Sequence, residues 1–332
     1  MKRKNIAPAF ETSIGTDLEV AAAYLRKGEL VAVPTETVYG LAANALSEDA
    51  VLKIYAAKNR PRFNPLIIHV SSWKQALQFV LPPNADAEKL AQAFWPGPLT
   101  LLLPTNNQIP QLVTAGSQRV AVRVPNHPVT LTLLELLDFP LAAPSANPSG
   151  YISPTTAQHV YAGLHGIIPY ILDGGTCLVG LESTIIGWNE LGMPEVYRLG
   201  GVPMEALANV LGTTPLLSKQ LIENPETPGQ LKSHYAPHTP LYLGKVAERI
   251  KEYTGKEIRL IRFRQYYPQI PEAQQILLAP GGTMEEAAKN LFSVLRQVDQ
   301  LKADVIIAEE LPQEGLGSAI NDRLRRAQVQ FK

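Results

Sequence analysis

Lys58-Asn59-Arg60-Pro61-Arg62-Phe63-Asn64 places three cations within five positions, in a half of the chain otherwise poor in positive charge. Arg offers a planar fork for paired anionic oxygens and Lys a mobile point charge, so together they suit phosphate or carboxylate. Read alone, the segment is also a helix end whose Lys answers the helix dipole, with the Arg residues solvated. A second group lies in Val33-Pro34-Thr35-Glu36-Thr37-Val38-Tyr39-Gly40, just after an apolar run. Pro34 takes the chain out of a ladder. Thr35, Thr37 and Tyr39 then put hydroxyls at alternate positions, on one side if the backbone stays extended. Such groups donate and accept, which suits a small polar ligand; a polar turn with capping threonines is the alternative. In Ala143-Pro144-Ser145-Ala146-Asn147-Pro148-Ser149-Gly150, two prolines bracket Ser145 and Asn147 and present them rigidly. Ser153-Pro154 reads as an N-cap and first helical residue, a further anion seat.

Other polar positions come from strands. In Val120–Val124 the alternation puts Arg123 on one face with Arg119 and Ala121. His69 ends Leu66–Val70, where a lone histidine is more often structural than a ligand, and Glu182-Ser183-Thr184 opens a strand. Several motifs fail. Gly175 and Gly180 have phosphate-loop spacing, but Leu181-Glu182 follows in place of Lys-Ser/Thr. Pro280-Gly281-Gly282-Thr283 lacks the full dinucleotide glycine pattern. His234 and His238 are four apart, but Pro237 bars a regular helix and no Glu follows His234. No Gly-x-Ser-x-Gly elbow occurs, and Cys177 has no neighbouring histidine. The chemistry these residues offer is positioning and charge, without a covalent enzyme intermediate.

The elements that must hold them alternate between short β-branched runs and amphipathic helices. Strands are expected at Leu30–Val33, Leu66–Val70, Leu99–Leu103, Val120–Val124, Leu141–Ala143, Tyr170–Leu172 and Thr184–Trp188. Ser47, Glu48 and Asp49 open a helix that Pro61 ends. Further helices are expected near Ser72–Val80, Ala85–Phe94, Pro128–Leu137, Pro154–Tyr161 and Pro203–Leu211. Short connections argue against an all-parallel sheet. The fold class is α/β: a twisted mixed sheet with helices over 14–212, an extended Pro-rich linker over 213–240, and a small Rossmann-like domain over 241–332. That last part has strands at Leu241–Leu243, Ile258–Phe263, Ile276–Leu278 and Val305–Ala308, with helices at Val246–Tyr253, Met284–Leu301 and Ser318–Gln330.

Composition narrows the function. The chain has 332 residues, 45% hydrophobic and 18% charged, with 30 basic and 30 acidic side chains. Residues 1–212 carry 14 basic and 16 acidic groups, and 213–332 carry 16 and 14. Neither part is a polycation, which disfavours extended nucleic-acid binding. One cysteine excludes a disulfide scaffold and cysteine-rich metal sites. No apolar run nears the ~20 residues that span a bilayer. Lys2, Arg3 and Lys4 lack the apolar stretch of a signal peptide, so a cytoplasmic protein with a solvated tail is expected.

In order and spacing these blocks resemble the YrdC-like family of threonylcarbamoyl-AMP synthases in its longer, two-domain form. The resemblance rests on Pro34–Leu41, Lys58-x-Arg60, Asn64-Pro65-Leu66 with His69, and Trp95-Pro96-Gly97-Pro98-Leu99-Thr100. It continues through Val122–Pro125, Pro144–Gly150, Glu182–Ile185, His234-Tyr235-Ala236-Pro237 and Gly315–Leu324. It implies a nucleotidyltransferase that converts L-threonine, bicarbonate and ATP into threonylcarbamoyl-AMP and pyrophosphate, with Mg2+ accompanying ATP. Other proteins then transfer the threonylcarbamoyl group to tRNA. Carried over by position, Lys58 and Arg60 are the catalytic cations. ATP would be held by Lys58, Arg60, Asn64, Arg119, Ser145, Asn147, Ser153, Arg198 and Tyr235. Threonine would be held by Thr37, His69, Arg123, Ala143 and Ser183. Arg119 departs from the small or hydroxyl residue usual there, and Tyr235 would close over the nucleotide as a lid. No resident metal site is expected. The competing reading is an RNA-binding or ribosome-maturation module.

Overall fold

The computed structural model describes residues 10–218, Thr227 and residues 235–328. The basic tail, linker positions 219–226 and 228–234 including His234, and Gln330 of the expected last helix lie outside the described residues.

Eleven strands form one mixed sheet: β1 (Ser13–Gly15), β2 (Val31–Val33), β3 (Gly40–Asn44), β4 (Ile67–His69), β5 (Leu99–Pro104), β6 (Arg119–Arg123), β7 (Leu141–Ala142), β8 (Tyr170–Leu172), β9 (Thr184–Trp188), β10 (Pro194–Arg198) and β11 (Leu216–Leu217). Their order is β1-β8-β2-β3-β7-β4-β6-β5-β9-β10-β11. The centre shows how the sheet separates core from site. β4 and β6 run parallel, with Ile67 beside Ala121 and His69 beside Arg123. Side chains alternate across the sheet, so Ile68 and Val122 enter the main core. Ile67 and Ala121 pack with Leu102 and Ile185 on the other face, where His69 and Arg123 also point.

Local chemistry explains the helix that carries the lysine. Ser47 accepts from the Ala50 amide, Glu48 and Asp49 occupy the first turn, and helix Glu48–Lys58 ends with Asn59 in the left-handed region at φ 52°. Lys58 is therefore the last helical residue, and Pro61 keeps the following chain from returning to helix.

Three strands were not expected from the sequence: Ser13–Gly15, Pro194–Arg198 and Leu216–Leu217. Gly40–Asn44, which carries the end of the hydroxyl-rich turn, is a fourth. Two local expectations need correction. The helix after Ser153 begins at Ala157, capped by Thr156, whose Oγ accepts from the His159 amide. Ser153 is thus no N-cap and marks no helix-terminal anion seat; its hydroxyl goes elsewhere. The turn after Pro34 is not extended either. Thr35 Oγ1 accepts from the amides of Thr37 and Val38, a local side-chain to backbone turn. The chain therefore rotates, and the Tyr39 hydroxyl donates to Gly175 O at 2.8 Å on another side.

The second sheet is wholly parallel. Its strands are β12 (Leu241–Leu243), β13 (Ile258–Arg262), β14 (Gln275–Leu277) and β15 (Val305–Ala308), in the order β12-β15-β13-β14. Helix Met284–Gln300 buries Ala287, Ala288, Leu291, Phe292, Leu295 and Val298. The same helix also docks on the first domain. Thr155 and Ser293 hydroxyls meet at 2.9 Å, and Tyr151 donates to Asp299 at 2.9 Å. Arg296 donates to the carbonyls of Ile152, Ser153 and His159. Gly180, at φ +74°, lets this helix come close, since a Cβ there would sit 2.5 Å from Lys289 Cα. Gly180→Ala is therefore expected to wedge the junction and destabilise it by about 1–3 kcal/mol. A thermal melt unchanged from the parent would contradict that packing.

Candidate functional site

A cavity opens where the turn after β2, the ends of β4 and β6, and the loop after β7 meet. Thr35, Thr37, Gly40, Ile67, His69 and Arg123 line one side. Ala143, Pro144 and Ser145 line the next, and Arg60, Glu182, Ser183, Arg198 and Tyr235 complete it. Three guanidinium groups thus face one space whose lining holds one carboxylate.

Each cation is held in place. Arg60 donates to the carbonyls of Asn64 at 3.2 Å and Pro65 at 2.9 Å. Arg123 donates to Gly97 O at 3.1 Å and Thr37 Oγ1 at 2.9 Å. Its Nη2 lies 2.7 Å from Glu36 Oε1 in a buried ion pair. That contact is one of charge, for neither Glu36 oxygen nor Nη2 has hydrogen-bond geometry. Thr35 donates to Val38 O, so Thr37 supplies the proton of the 2.8 Å contact between the two threonine hydroxyls. Arg198 donates to Ser183 O and Ser183 Oγ, both at 3.0 Å. Thr100 Oγ1 lies 2.7 Å from the same Ser183 hydroxyl.

Electrostatics mark the same place. Burial lowers the pKa of Arg60 to about 10, and Arg198 pushes in the same direction. Burial likewise lowers Arg198 to about 10. Burial, then the like charge of Arg60, drives Lys58 well below the usual lysine range. Cations under such strain gain from an arriving anion. Burial aided by Arg123 pushes His69 down to about 3, so the imidazole is neutral near pH 7. Its Nδ1 is buried and has no hydrogen-bond partner among the described residues. Because the folded pKa lies below the unfolded one, the unfolded chain takes the proton first as pH falls. Stability is accordingly expected to drop between about pH 6.5 and 3, and less so in His69→Gln. Denaturant melts across that window check the sign.

The structure brings together Thr37, Arg60, His69, Arg123, Ala143, Ser145, Ser183, Arg198 and Tyr235. Lys58 lies just behind them, 2% exposed, and donates to the carbonyls of Ser145 and Asn147. Asn147 donates to Pro148 O and Tyr151 O, and its buried Oδ1 has no partner among the described residues. Both side-chain ends of Asn64 are also buried and unpartnered among the described residues. Ser153 reaches the site indirectly, donating to Glu182 Oε1 at 2.7 Å. Arg119 is not in the cavity. It stands on the same face of β6 as Arg123 but about 13 Å along the strand, donating to Trp188 O and Tyr197 Oη. There it borders a wider open hollow of ≈ 1050 Å³ with Phe63, Ser117 and Glu195. Glu36 was missed as a site residue; its place in the hydroxyl-rich turn was the available signal.

The fold and cavity define a two-domain α/β protein in which three buried guanidinium groups share one cavity with a neutral histidine and ordered hydroxyls. The family model described as "Telomere recombination" matches residues 23–200, and that of "Threonylcarbamoyl-AMP synthase, C-terminal domain" matches 202–328. The chain is 42% identical to the threonylcarbamoyl-AMP synthase of Pyrococcus abyssi, covering 93% of each chain. It is 41% identical to that of Bacillus subtilis, covering 92% of this chain and 91% of that one. Its structure superposes on the crystal structure of Pyrococcus abyssi Sua5 complexed with L-threonine with a TM-score of 0.86 and 39% identity, over 97% and 99% of the two chains. The chain belongs to the threonylcarbamoyl-AMP synthase family.

Proposed function

We propose that the chain is a nucleotidyltransferase that makes L-threonylcarbamoyladenylate from L-threonine, bicarbonate and ATP. The observation that carries this reading is the convergence of Arg60, Arg123 and Arg198 on one cavity. Three anionic partners must meet in the reaction: a triphosphate, the threonine carboxylate and a carbamate. The threonine nitrogen attacks the bicarbonate carbon and water leaves, giving the carbamate. A carbamate oxygen then bonds to the α-phosphorus while the bond to the β-phosphate bridging oxygen breaks, and pyrophosphate departs.

Arg123, fixed by Glu36 and Thr37, is the carboxylate partner for threonine. His69, Ala143 and Ser183 wall that subsite, and the neutral His69 adds no charge that would compete for the carboxylate. Arg60, Arg198 and Ser145 face the phosphates, with Lys58, Asn64, Asn147 and Ser153 behind them. Arg119 would act only on a nucleotide that reached along β6. Catalysis of this kind draws on orientation and fixed charge more than on a nucleophile. The nearby carboxylates are engaged, Glu36 by Arg123 and Glu182 by Arg323. No cluster of three His, Cys, Asp or Glu occurs among the described residues. Mg2+ would accompany ATP, held by the phosphates and water.

The cavity leaves ≈ 50 Å³ of room with Tyr235 in place, against the roughly 300–1,000 Å³ usual for ligand pockets. Tyr235 is buried at φ 63°, a backbone state that side chains of this size rarely adopt. Its withdrawal would admit the nucleotide, which makes it the lid. The product would pass to tRNA-modifying proteins in the cytoplasm. Among the described residues no helix is long and apolar enough to cross a membrane. Pyrophosphate release with each substrate omitted in turn tests the reading. Release is expected only with all three present, and release that ignores threonine would contradict it.

A further inference from the structure

Arg323 lies in helix Gly317–Ala327 of the second domain, yet its side chain is fully buried against the first. Nε donates to Glu182 Oε2 at 2.8 Å, and Nη2 donates to Leu199 O at 2.7 Å. Nη1 lies 2.8 Å from Asp322. The guanidinium also stands 5.2 Å from the Tyr235 ring centroid, which stacks on Phe292 at 5.5 Å. Arg323 does not itself line the cavity. What it grips does: Glu182 and Tyr235 are lining residues, and Leu199 directly follows Arg198. The other Glu182 oxygen accepts from Ser153, so one carboxylate joins the second domain to the nucleotide side of the site.

We propose that Arg323 is a positioning residue for nucleotide binding, so that the site is complete only while the second domain is docked. This rests on the assignment of Arg198, Ser153 and Tyr235 to the nucleotide. The planar fork serves four partners at once, the Glu182 and Asp322 carboxylates, the Leu199 carbonyl and the Tyr235 ring face, which a lysine cannot match. Electrostatics agree with the geometry. Burial alone would raise the Glu182 pKa, but Arg323 and Arg198 outweigh it and hold the carboxyl below its ordinary value. Glu182 therefore stays charged, and the link is broken by removing a partner and not by mild acid.

The test measures ATP affinity by calorimetry, and the KM values for ATP and threonine, in the full chain carrying Arg323→Ala, Arg323→Lys or Glu182→Gln. Arg323→Ala is expected to weaken ATP binding by about tenfold or more, with a smaller change in the threonine KM. Added guanidinium at non-denaturing concentration should restore much of the loss. Arg323→Lys should recover little. Glu182→Gln keeps the shape of the link and removes its charge, so its ATP defect should be intermediate. Thermal melts establish that each variant is folded, and an Arg323→Ala chain that does not fold leaves Glu182→Gln as the deciding variant. Parental ATP affinity in the folded variants would overturn the proposal. So would equal losses for ATP and threonine with no rescue by guanidinium. A parent chain that binds ATP but shows no threonine-dependent pyrophosphate release would overturn the function and leave the positioning result readable from ATP binding.

Discussion

Lys58→Ala is expected to lower turnover by at least about 100-fold, the scale seen when one preorganised donor is removed from a charge-stabilising site. The same change should also lower the melting temperature. Lys58 closes helix Glu48–Lys58 and donates to the carbonyls of Ser145 and Asn147, while its own carbonyl accepts from the Ser149 amide at 2.8 Å. Helix end and loop thus fix each other. Without the lysine, Ser145 O keeps the Asn147 amide at 3.0 Å, but Asn147 O is left without the lysine donor, which costs about 1–3 kcal/mol. The lysine is therefore more than a surface cation waiting for phosphate: it sets the loop that presents Ser145. Lys58→Met, which keeps most of the volume, should show the same rate loss with a smaller drop in stability. Pyrophosphate release and thermal melts read the two effects separately. Near-parental turnover in both variants would remove Lys58 from the machinery.

Arg123→Ala should produce the next largest effect. It strands Glu36, a buried carboxylate whose paired cation is lost, and breaking such a pair costs about 3–5 kcal/mol. It also removes the carboxylate partner proposed for threonine. The two consequences can be separated. Adding Glu36→Gln to Arg123→Ala removes the stranded charge, so stability should largely return, whereas threonine binding should not. Melting curves and threonine titration measure the pair. Threonine affinity that recovered along with stability would mean that Arg123 only supports the fold.

Much of this site was legible in the sequence because its signals are local. Lys58 ends a capped helix and Arg60 follows its cap, Ser145 and Asn147 sit between prolines, and Arg123 follows the period of its strand. The fold class was legible for the same reason, since periodicity and turn residues mark most elements. What escaped depends on distant contacts or on rotation of the chain. Thr35 bends the turn by bonding its own backbone, so Tyr39 leaves for Gly175. Ser153 has the look of a cap, but a partner 29 residues away takes its hydroxyl. The link from Arg323 to Glu182 spans 141 residues, and no local pattern encodes it. Arg119 and Arg123 share a strand face, yet strand length alone carries them to different hollows.

The central claim is that threonine, bicarbonate and ATP combine in this one cavity. Its most direct test supplies carbon-labelled bicarbonate with L-threonine and ATP, then identifies the nucleotide product by mass spectrometry immediately after quenching. The account predicts an adenylate containing both threonine and the labelled carbon, formed in step with pyrophosphate and absent when threonine is omitted. Pyrophosphate release with no label in any adenylate would contradict it.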